Sequence, residues 1–423
     1  MALKRRRISS GDGRGLQNRL RVRESVPGWV RLPHASAKTA SRANRLFMQS
    51  WIALNMTPEI GPRMAAVLLE RFGSPEAVFG ARRTELEALK LKPAAIESIL
   101  KREFFDKAEA EVKAVKELGG EILTLDDGGY PALLREIPDA PIVLYALGNW
   151  QQCLESPCVA VIGSRNCSTY GRNAAEMLAR ELARRGITIV SGLARGIDTA
   201  AHRGALDGNG KTAGVLGTGL DIIYPKENRR LIDEIIAGGG AVVTQFPLGT
   251  PPVGENFPYR NRIISGLSLG VLLVEASERS GSLITARLAM EQNRDVLAVP
   301  GNITSANSYG TNYLIKAGAK LVQQWQDVVS ELPAEISAAI LPPGPEVSVK
   351  PKANGFQPTL TPAGLDENEI KVWQLLRPDD SLHIDELLEA SGMSFSELNN
   401  ALVSLDIKDL IRVLPGRYYA RKI

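Results

Sequence analysis

The sequence predicts an α/β protein: an extended Rossmann-like, doubly wound sheet flanked by an N-terminal helical domain and a C-terminal winged helix. Between residues 156 and 325, short apolar runs alternate with amphipathic segments, as in repeated βαβ units. The run 271–274 is apolar at every position, which is typical of parallel strands buried on both faces. Residues 46–118 on one side and 363–423 on the other contain helical periodicity, and a chain of 423 residues is long enough for two or three domains.

The composition is that of a globular protein, with 44% hydrophobic and 23% charged residues. No apolar run approaches the roughly 18 residues that span a bilayer, and the N-terminus lacks the apolar stretch of a secretory signal. The three cysteines form no C-x-x-C pair, which favours a reducing cytoplasm. The three histidines are scattered, so we expect no histidine-built metal site, and we expect His202 to have a helix-packing or hydrogen-bonding role.

Charge is distributed unevenly along the chain. Residues 1–45 carry 12 Lys and Arg against 2 Asp and Glu, a net of +10, which leaves −6 for the rest of a chain whose total is +4. We expect 1–45 to be a basic, disordered tail, with a nucleic-acid-binding arm and an organelle transit peptide as alternatives. If the folded part binds nucleic acid, it must do so through a local basic patch.

Residues 46–118 are predicted to form a helical domain. A Gly61-Pro62 turn separates two helices, since proline suits the first turn of a helix, and Gly73 ends the second one. The pattern resembles a helix-hairpin-helix or sterile-alpha-motif-like unit, and the hairpin form often binds the DNA backbone through turn amides. Glu59 stands where a second glycine is common, so a purely structural module is an equal alternative.

We assign residues 119–332 to the Rossmann-like domain, on the basis of apolar runs bounded by turn residues. The predicted strands are residues 121–125, 142–147, 159–162, 187–190, 213–216, 241–244, 270–275, 296–299 and 320–323.

The C-terminal part is predicted to contain a Pro-rich linker, 333–362, and a winged helix, 363–423. Three amphipathic helices, the third capped by Ser394, precede a hairpin around Pro415-Gly416. This domain carries 7 Lys and Arg against 11 Asp and Glu. Because duplex binding requires positive charge against the phosphates, we favour a protein-contact role over DNA binding.

Four consecutive strands of the Rossmann-like domain, beginning with 159–162, end in turns that carry cations. The residues concerned are Gly163, Ser164 and Arg165 after the first strand, Arg195 after the second, Lys226 and Asn228 after the third, and Arg260, Asn261 and Arg262 after the fourth.

These strand ends predict one phosphate-rich groove. In a doubly wound sheet, ligands bind at the carboxyl ends of the strands, where free backbone amides at helix N-termini attract phosphate. Arginine can add a bidentate contact. The G-x-G-x-x-G pattern of dinucleotide-binding proteins is absent from these turns, which disfavours a nicotinamide or flavin cofactor. Each turn alone is weak evidence; their recurrence at four neighbouring strands points to a common site.

Several of these motifs together resemble the DNA-processing protein A (DprA, or Smf) family. The resemblance covers residues 46–325 closely and extends to the winged helix, with Asn293 standing where the family usually has glycine. Its motifs are Ile162-Gly163-Ser164-Arg165, Ser191-Gly192-x-Ala194-x-Gly196-Ile197-Asp198, Tyr224-Pro225-x-x-Asn228, Phe257-Pro258-x-Arg260-Asn261-Arg262, Ser280-Gly281-Ser282-Leu283-Ile284-Thr285-Ala286 and Ala298-Val299-Pro300-Gly301.

We expect a binding protein rather than an enzyme, because the sequence offers neither a paired acid nor a Ser-His-Asp set, and we expect no cofactor. The resemblance implies binding of single-stranded DNA with little sequence preference, protection of that strand, and loading of the RecA recombinase during natural transformation. It further implies homodimers formed through the Rossmann-like domain and a DNA pocket made of the nine strand-end residues. Because single strands are also held by stacking, candidate aromatic contacts are Tyr170, Tyr224, Phe257 and Tyr259, with buried packing as the alternative for each.

Two other functions compete with this one. A phosphoribohydrolase-like enzyme acting on nucleotides would use Glu275 as its carboxylate and Ser280-Gly281 to hold a phosphate, but the Pro-Gly-Gly-x-Gly-Thr stretch of that group is absent. A duplex DNA binder would use the winged helix, against which its acidic balance argues.

Overall fold

The computed structural model describes residues 37–341, 362, 364–378 and 380–422. The first 36 residues of the expected basic tail and residues 342–361 of the expected linker lie outside this part of the chain. Two differences from the expected boundaries are visible. The first helix begins at Ala37, inside the expected tail, because residues 37–45 contain good helix formers and no Gly or Pro. The linker begins with a helix, Ala334–Ile340, which starts directly after Pro333.

The helical domain has the predicted helix–turn–helix at its start. Its helices are α1 (Ala37–Met56), α2 (Pro62–Phe72), α3 (Pro75–Val78), α4 (Arg83–Ala88), α5 (Pro93–Lys101) and α6 (Phe105–Glu117). Pro62 begins α2, and Gly73, with φ of 83°, ends it, as predicted. Glu59 has φ of 65°, a left-handed conformation that favours glycine, and its carboxylate pairs with Lys92 at 2.7 Å.

In the described part of the chain, nine strands form the predicted doubly wound sheet, in the order β1-β2-β6-β5-β4-β3-β7-β8-β9. The strands are β1 (Glu121–Thr124), β2 (Val143–Gly148), β3 (Cys158–Ile162), β4 (Thr188–Ser191), β5 (Thr212–Val215), β6 (Ala241–Thr244), β7 (Gly270–Leu273), β8 (Asp295–Ala298) and β9 (Lys320–Leu321). Strands β3 to β9 run parallel, and β1 and β2 pair antiparallel at one edge. All nine predicted strands are confirmed, with ends that differ by at most two residues.

Helices cover both faces of the sheet. They are α7 (Ala132–Arg135), α8 (Trp150–Glu155), α9 (Thr169–Ala183), α10 (Ile197–Asp207), α11 (Arg229–Ala237), α12 (Asn256–Gly266), α13 (Ser282–Glu291), α14 (Tyr309–Lys316), α15 (Trp325–Val329) and α16 (Ala334–Ile340). Side chains of α7, α8, α12, α13 and α14 form the core on one face. Helices α9, α10 and α15 cover part of the other face. The helical domain shares a continuous core with α11 and strand β2, so it packs directly on the sheet.

The winged helix is confirmed. It consists of α17 (Glu367–Leu375), β10 (Leu382–His383), α18 (Ile384–Ser391), α19 (Phe395–Ile407), β11 (Ile411–Leu414) and β12 (Tyr418–Arg421). The backbone amide of Glu397 donates to Ser394 Oγ at 3.3 Å, which is the predicted cap. The domain contacts the Rossmann-like domain through an ion pair between Arg412 and Glu176, and Asn173 Nδ2 donates to the carbonyl of Pro378 at 2.8 Å. Among the described residues, none of the helices has the length and apolarity needed to cross a bilayer.

Candidate nucleic-acid interface

A cleft of about 430 Å³ opens at the carboxyl ends of the paired strands β3 and β7, whose following helices, α9 and α13, pack on opposite faces of the sheet. We call it the strand-end cleft. This is the topological switch point of the sheet, the usual ligand position in a doubly wound fold. The residues that line it are Ile162, Gly163, Ser164, Arg165, Asn166, Ala194, Asp198, Phe257, Pro258, Arg260, Asn261, Ser277, Ser280, Gly281, Ser282, Thr285 and Asn307.

The turn after β3 is packed so closely that only glycine fits at its start. A Cβ atom on Gly163 would lie 2.7 Å from Ile197 Cγ1 and 2.8 Å from the carbonyl oxygen of Glu275. The amide of Ser164 donates to the same carbonyl at 2.8 Å, and its Oγ accepts from the amide of Asn166 at 3.2 Å. The turn therefore has a fixed shape, from which the exposed side chain of Arg165 projects.

The turn after β4 is held by a buried arginine, Arg260, which is 3% exposed. Its Nη1 donates to the carbonyl of Gly192 at 2.8 Å and to the carbonyl of Val215. The buried carboxylate of Asp198 accepts from the amides of Gly192 and Ala194 at 3.1 and 3.3 Å. Burial lowers the pKa of Arg260 to about 10, so the side chain remains a cation at neutral pH. Nε of Arg260 has no hydrogen-bond partner among the described residues.

The cations of the next turns differ in accessibility. Arg195 is exposed and pairs with Glu227, and Lys226 is exposed in a short 3₁₀ turn. Asn228 is buried instead: its Nδ2 donates to the carbonyl of Leu193 at 2.8 Å and to Thr199 Oγ1 at 3.0 Å. These bonds tie the turn after β4 to the start of α11, which is a structural role that the sequence pattern did not indicate.

Arg262 faces away from the strand-end cleft. Although Arg260 and Asn261 line the cleft, Arg262 is 2% exposed and donates from Nη1 to the carbonyl of Asp139 at 2.7 Å. It also donates from Nη2 to Gln245. Residues two apart on a helix lie about 200° apart around its axis, so the two arginines of α12 cannot face the same site. The structure therefore places Arg262, which the sequence pattern assigned to the DNA pocket, outside the strand-end cleft.

An aromatic pair borders the cleft. The rings of Tyr224 and Phe257 lie 5.4 Å apart at 45°, and Tyr224 is 44% exposed. The guanidinium of Arg165 lies 5.5 Å from the centre of the Phe257 ring. A recess of about 60 Å³ joins these groups to Arg195. Exposed aromatic rings beside arginines are the usual means of stacking unpaired bases.

The other two aromatic candidates are engaged elsewhere. The hydroxyl of Tyr170 donates to the carbonyl of Pro300 at 2.8 Å, and the side chain is partly buried. Tyr259 is exposed, but its ring lies 4.5 Å from the guanidinium of Arg262, which is turned away from the cleft.

Glu275, the candidate carboxylate of the enzyme alternative, caps helix α9. It is 2% exposed, its Oε2 accepts from the amide of Ser168 at 2.8 Å, and its Oε1 accepts from Ser168 Oγ. A Cβ on Gly171 would lie 2.3 Å from the Glu275 carboxyl carbon, so the carboxyl group packs directly against the backbone of α9 at Gly171. Both of its oxygens stabilise the helix N-terminus.

The Ser280-Gly281 segment, which the sequence suggested as a family motif and as the phosphate holder of the enzyme alternative but not as part of the DNA pocket, forms one wall of the cleft. Helix α13 begins there, and its first turn and the hydroxyls of Ser280 and Ser282, 2.7 Å apart, line the cavity. A helix N-terminus with hydroxyl groups suits an anion. The Ser280-Gly281-Ser282 motif was the available signal for this part of the site.

His202 has the predicted packing and hydrogen-bonding role: it is fully buried, its Nδ1 lies 2.7 Å from Thr212 Oγ1, and burial lowers its pKa to about 3. Within the described ranges, no group of three or more His, Cys, Asp and Glu side chains is arranged to hold a metal ion.

The chain matches two family models. Residues 121–333 match the model described as DNA recombination-mediator protein A, and residues 356–417 match the DprA winged helix domain.

Similar proteins are found among curated sequences and solved structures. Protein Smf of Escherichia coli is 40% identical over 297 residues, which cover 70% of this chain and 76% of that protein. DNA processing protein DprA of Streptococcus pneumoniae is 50% identical over 205 residues, covering 48% of this chain and 72% of that one. The X-ray structure of DprA from Streptococcus pneumoniae aligns with a TM-score of 0.56 at 37% identity, over 67% of this chain and 98% of that chain.

The site makes a prediction about stability. Replacing Arg260 with alanine leaves Asp198 buried without its cation and frees two carbonyls, so we expect the free energy of unfolding to fall by about 3–5 kcal/mol. The exposed Arg165→Ala is the matched control and should change it by less than about 0.5 kcal/mol. Urea denaturation of both variants measures this. Equal stabilities would contradict the structural role of Arg260.

Proposed function

Because the chain belongs to the DNA recombination-mediator protein A (DprA/Smf) family, we propose that it binds single-stranded DNA in the strand-end cleft, protects it, and loads RecA onto it in the cytoplasm during natural transformation. The observation that carries the proposal is the convergence of Arg165 and Asn261 with the N-terminus of α13 on one cleft at the switch point. Arg195 and Lys226 extend this surface along the neighbouring strand ends.

The chemistry of the cleft suits a single strand better than a duplex. Its lining offers hydroxyls, the Asn261 side chain and guanidinium groups as donors, which can contact phosphate and carry little sequence information. The Tyr224 and Phe257 rings offer a stacking surface that is useful only where bases are unpaired. These features support binding with little sequence preference.

We propose that the protein acts by binding rather than by catalysis. The carboxylate that a nucleotide-hydrolysing enzyme would require, Glu275, is committed to the N-terminus of α9. This engagement supports a binding role for the cleft and gives the enzyme alternative no specific observation in its favour.

We further propose a homodimer formed through the Rossmann-like domain. Helix α14 presents two aromatic side chains one turn apart, Tyr309 and Tyr313, which are 54% and 60% exposed. They precede β9, the edge strand of the sheet. An exposed aromatic face beside a sheet edge is a common feature of protein interfaces.

The winged helix is proposed to contact proteins. Its third helix, α19, which reads DNA in many winged helices, contains no Lys or Arg. It exposes Phe395, Val403 and Ile407, the last of them by 80%. A neutral to acidic surface with apolar side chains is poorly suited to phosphates and well suited to a protein partner.

The DNA proposal predicts the effect of removing single cations. Arg165→Ala and Lys226→Ala should each weaken binding of labelled oligothymidylate about tenfold. Each should also reduce the slope of log affinity against log salt by about one, because one phosphate contact is lost. Titrations at two salt concentrations with oligothymidylate and a matched duplex measure both effects.

Lys113→Ala, on the exposed side of α6, is the control and should bind as the wild type does. Unchanged affinity in both test variants would rule out this site. A wild-type protein without preference for the single strand would overturn the proposed function itself.

The dimer and RecA proposals are tested together. Tyr313→Glu places a charge in the proposed interface, so we expect a monomer in sedimentation or light scattering with unchanged stability. RecA assembly on oligothymidylate, followed through its ATPase activity, should be faster with the wild-type protein than without it. A dimer that persists in the variant would exclude the α14 face, and unaltered RecA assembly would exclude loading.

Deleting residues 363–423 tests the role of the winged helix. Since we assign DNA binding to the strand-end cleft, the truncated protein should keep oligothymidylate affinity within about threefold of the full chain. The same titration measures it. A nearly complete loss of affinity would show that the winged helix contacts DNA.

A further inference from the structure

The loop after β6, residues 245–255, is held by two carboxylates from different parts of the molecule. The amide of Leu248 donates to Glu111 Oε1, on helix α6 of the helical domain, at 2.7 Å. The next amide, of Gly249, donates to both carboxylate oxygens of Asp221 at 2.9 and 3.0 Å. Two adjacent backbone amides thereby connect the helical domain and the segment after β5 to one loop.

The contact of Glu111 is buried, unlike the ion pairs on the outer surface of the helical domain. Its side chain lies near the fully buried Tyr145, the residue as a whole is 8% exposed, and burial raises the pKa of its carboxyl. A carboxylate in such surroundings is unfavourable unless it accepts hydrogen bonds. The bond from Leu248 is short, so it fixes the loop against α6.

This loop leads directly into the cleft. Helix α12 begins at Asn256, eight residues after Leu248, and its first two turns carry Phe257, Arg260 and Asn261. On the other side, the amide of Gly219 donates to the carbonyl of Thr250 at 3.1 Å. The segment that follows Gly219 carries Tyr224 and Lys226. The positions of the Tyr224–Phe257 pair and of the cations Lys226 and Arg260 therefore depend on where the loop lies.

The helical domain also approaches α12 through the turn between α1 and α2, but this turn is poorly suited to binding DNA. A Cβ on Gly61 would lie 3.9 Å from the hydroxyl of Tyr259, on the first turns of α12. The neighbouring Glu59 places a carboxylate, paired with Lys92, on the turn. A carboxylate at this position repels phosphate, which argues against direct backbone contact by the hairpin.

We infer that Glu111 is a positioning residue through which the helical domain sets the geometry of the strand-end cleft, without touching DNA itself. This inference rests on the proposed single-strand binding. It has an electrostatic signature, because removing a negative charge near a DNA site should tighten binding if charge alone mattered. If Glu111 instead positions the cleft, removing its side chain should weaken DNA binding.

The experiment compares Glu111→Ala, Glu111→Gln and Glu111→Asp in the full chain, with Glu117→Ala as a control on the exposed face of the same helix. Hydrogen exchange of residues 245–255 reports the loop, and oligothymidylate titration at several salt concentrations reports the cleft. For Glu111→Ala we expect faster exchange and about tenfold weaker binding, with an unchanged salt slope because no phosphate contact is lost.

Glu111→Gln keeps an acceptor oxygen and should restore both readouts to near the wild-type values. Glu111→Asp, whose carboxylate is one methylene short of Leu248, should behave like a milder alanine variant and remains informative if the alanine variant does not fold. Unchanged exchange in Glu111→Ala and Glu111→Asp, or faster exchange with wild-type affinity, would overturn the inference. Tighter binding by the alanine and glutamine variants alike would also overturn it. A wild-type protein that fails to bind oligothymidylate would refute the proposed function instead, whatever the exchange of the loop.

Discussion

The candidate site depends on one buried cation, the guanidinium of Arg260. It bonds the carbonyls of Gly192 and Val215, at the ends of β4 and β5, while Asp198 holds the amides of the same turn. A buried arginine is tolerated because carbonyls and a carboxylate surround it. Since Arg260 is on α12, this arrangement fixes the helix and two strand ends in a single geometry, and the exposed cations are arranged around it.

Charge in this protein is organised locally rather than globally. Residues 46–423 carry a net charge of −6, so no overall positive field attracts nucleic acid to them. The exposed cations of the proposed site, Arg165, Arg195 and Lys226, lie at neighbouring strand ends because parallel strands place their carboxyl ends on the same edge of the sheet. Acidic residues serve structural purposes close by: Glu275 caps α9, and Glu111 and Asp221 hold the loop before α12.

The strands were predictable because each is a short apolar run between turn residues, and buried parallel strands have this pattern regardless of their neighbours. The start of α1 and the helix α16 were missed because composition alone distinguishes a tail or linker poorly from a short helix. Within the site, Arg165 and Asn261 line the cleft, and their contact with DNA stays a prediction. Arg262 does not line it, because its direction depends on the position of α12 relative to the sheet.

The sequence by itself determined the order of strands and helices, the glycine turns and the residue types at each strand end, since these follow from local pattern and backbone sterics. Only the tertiary structure decided which of those side chains face solvent and which are buried and hydrogen-bonded inside the protein. Asn228 and Arg260 have the same polar chemistry as accessible contacts, yet both are buried against carbonyl groups. Whether such a side chain is buried or exposed depends on hydrogen-bond partners that lie far apart in sequence. A local sequence pattern does not contain that information.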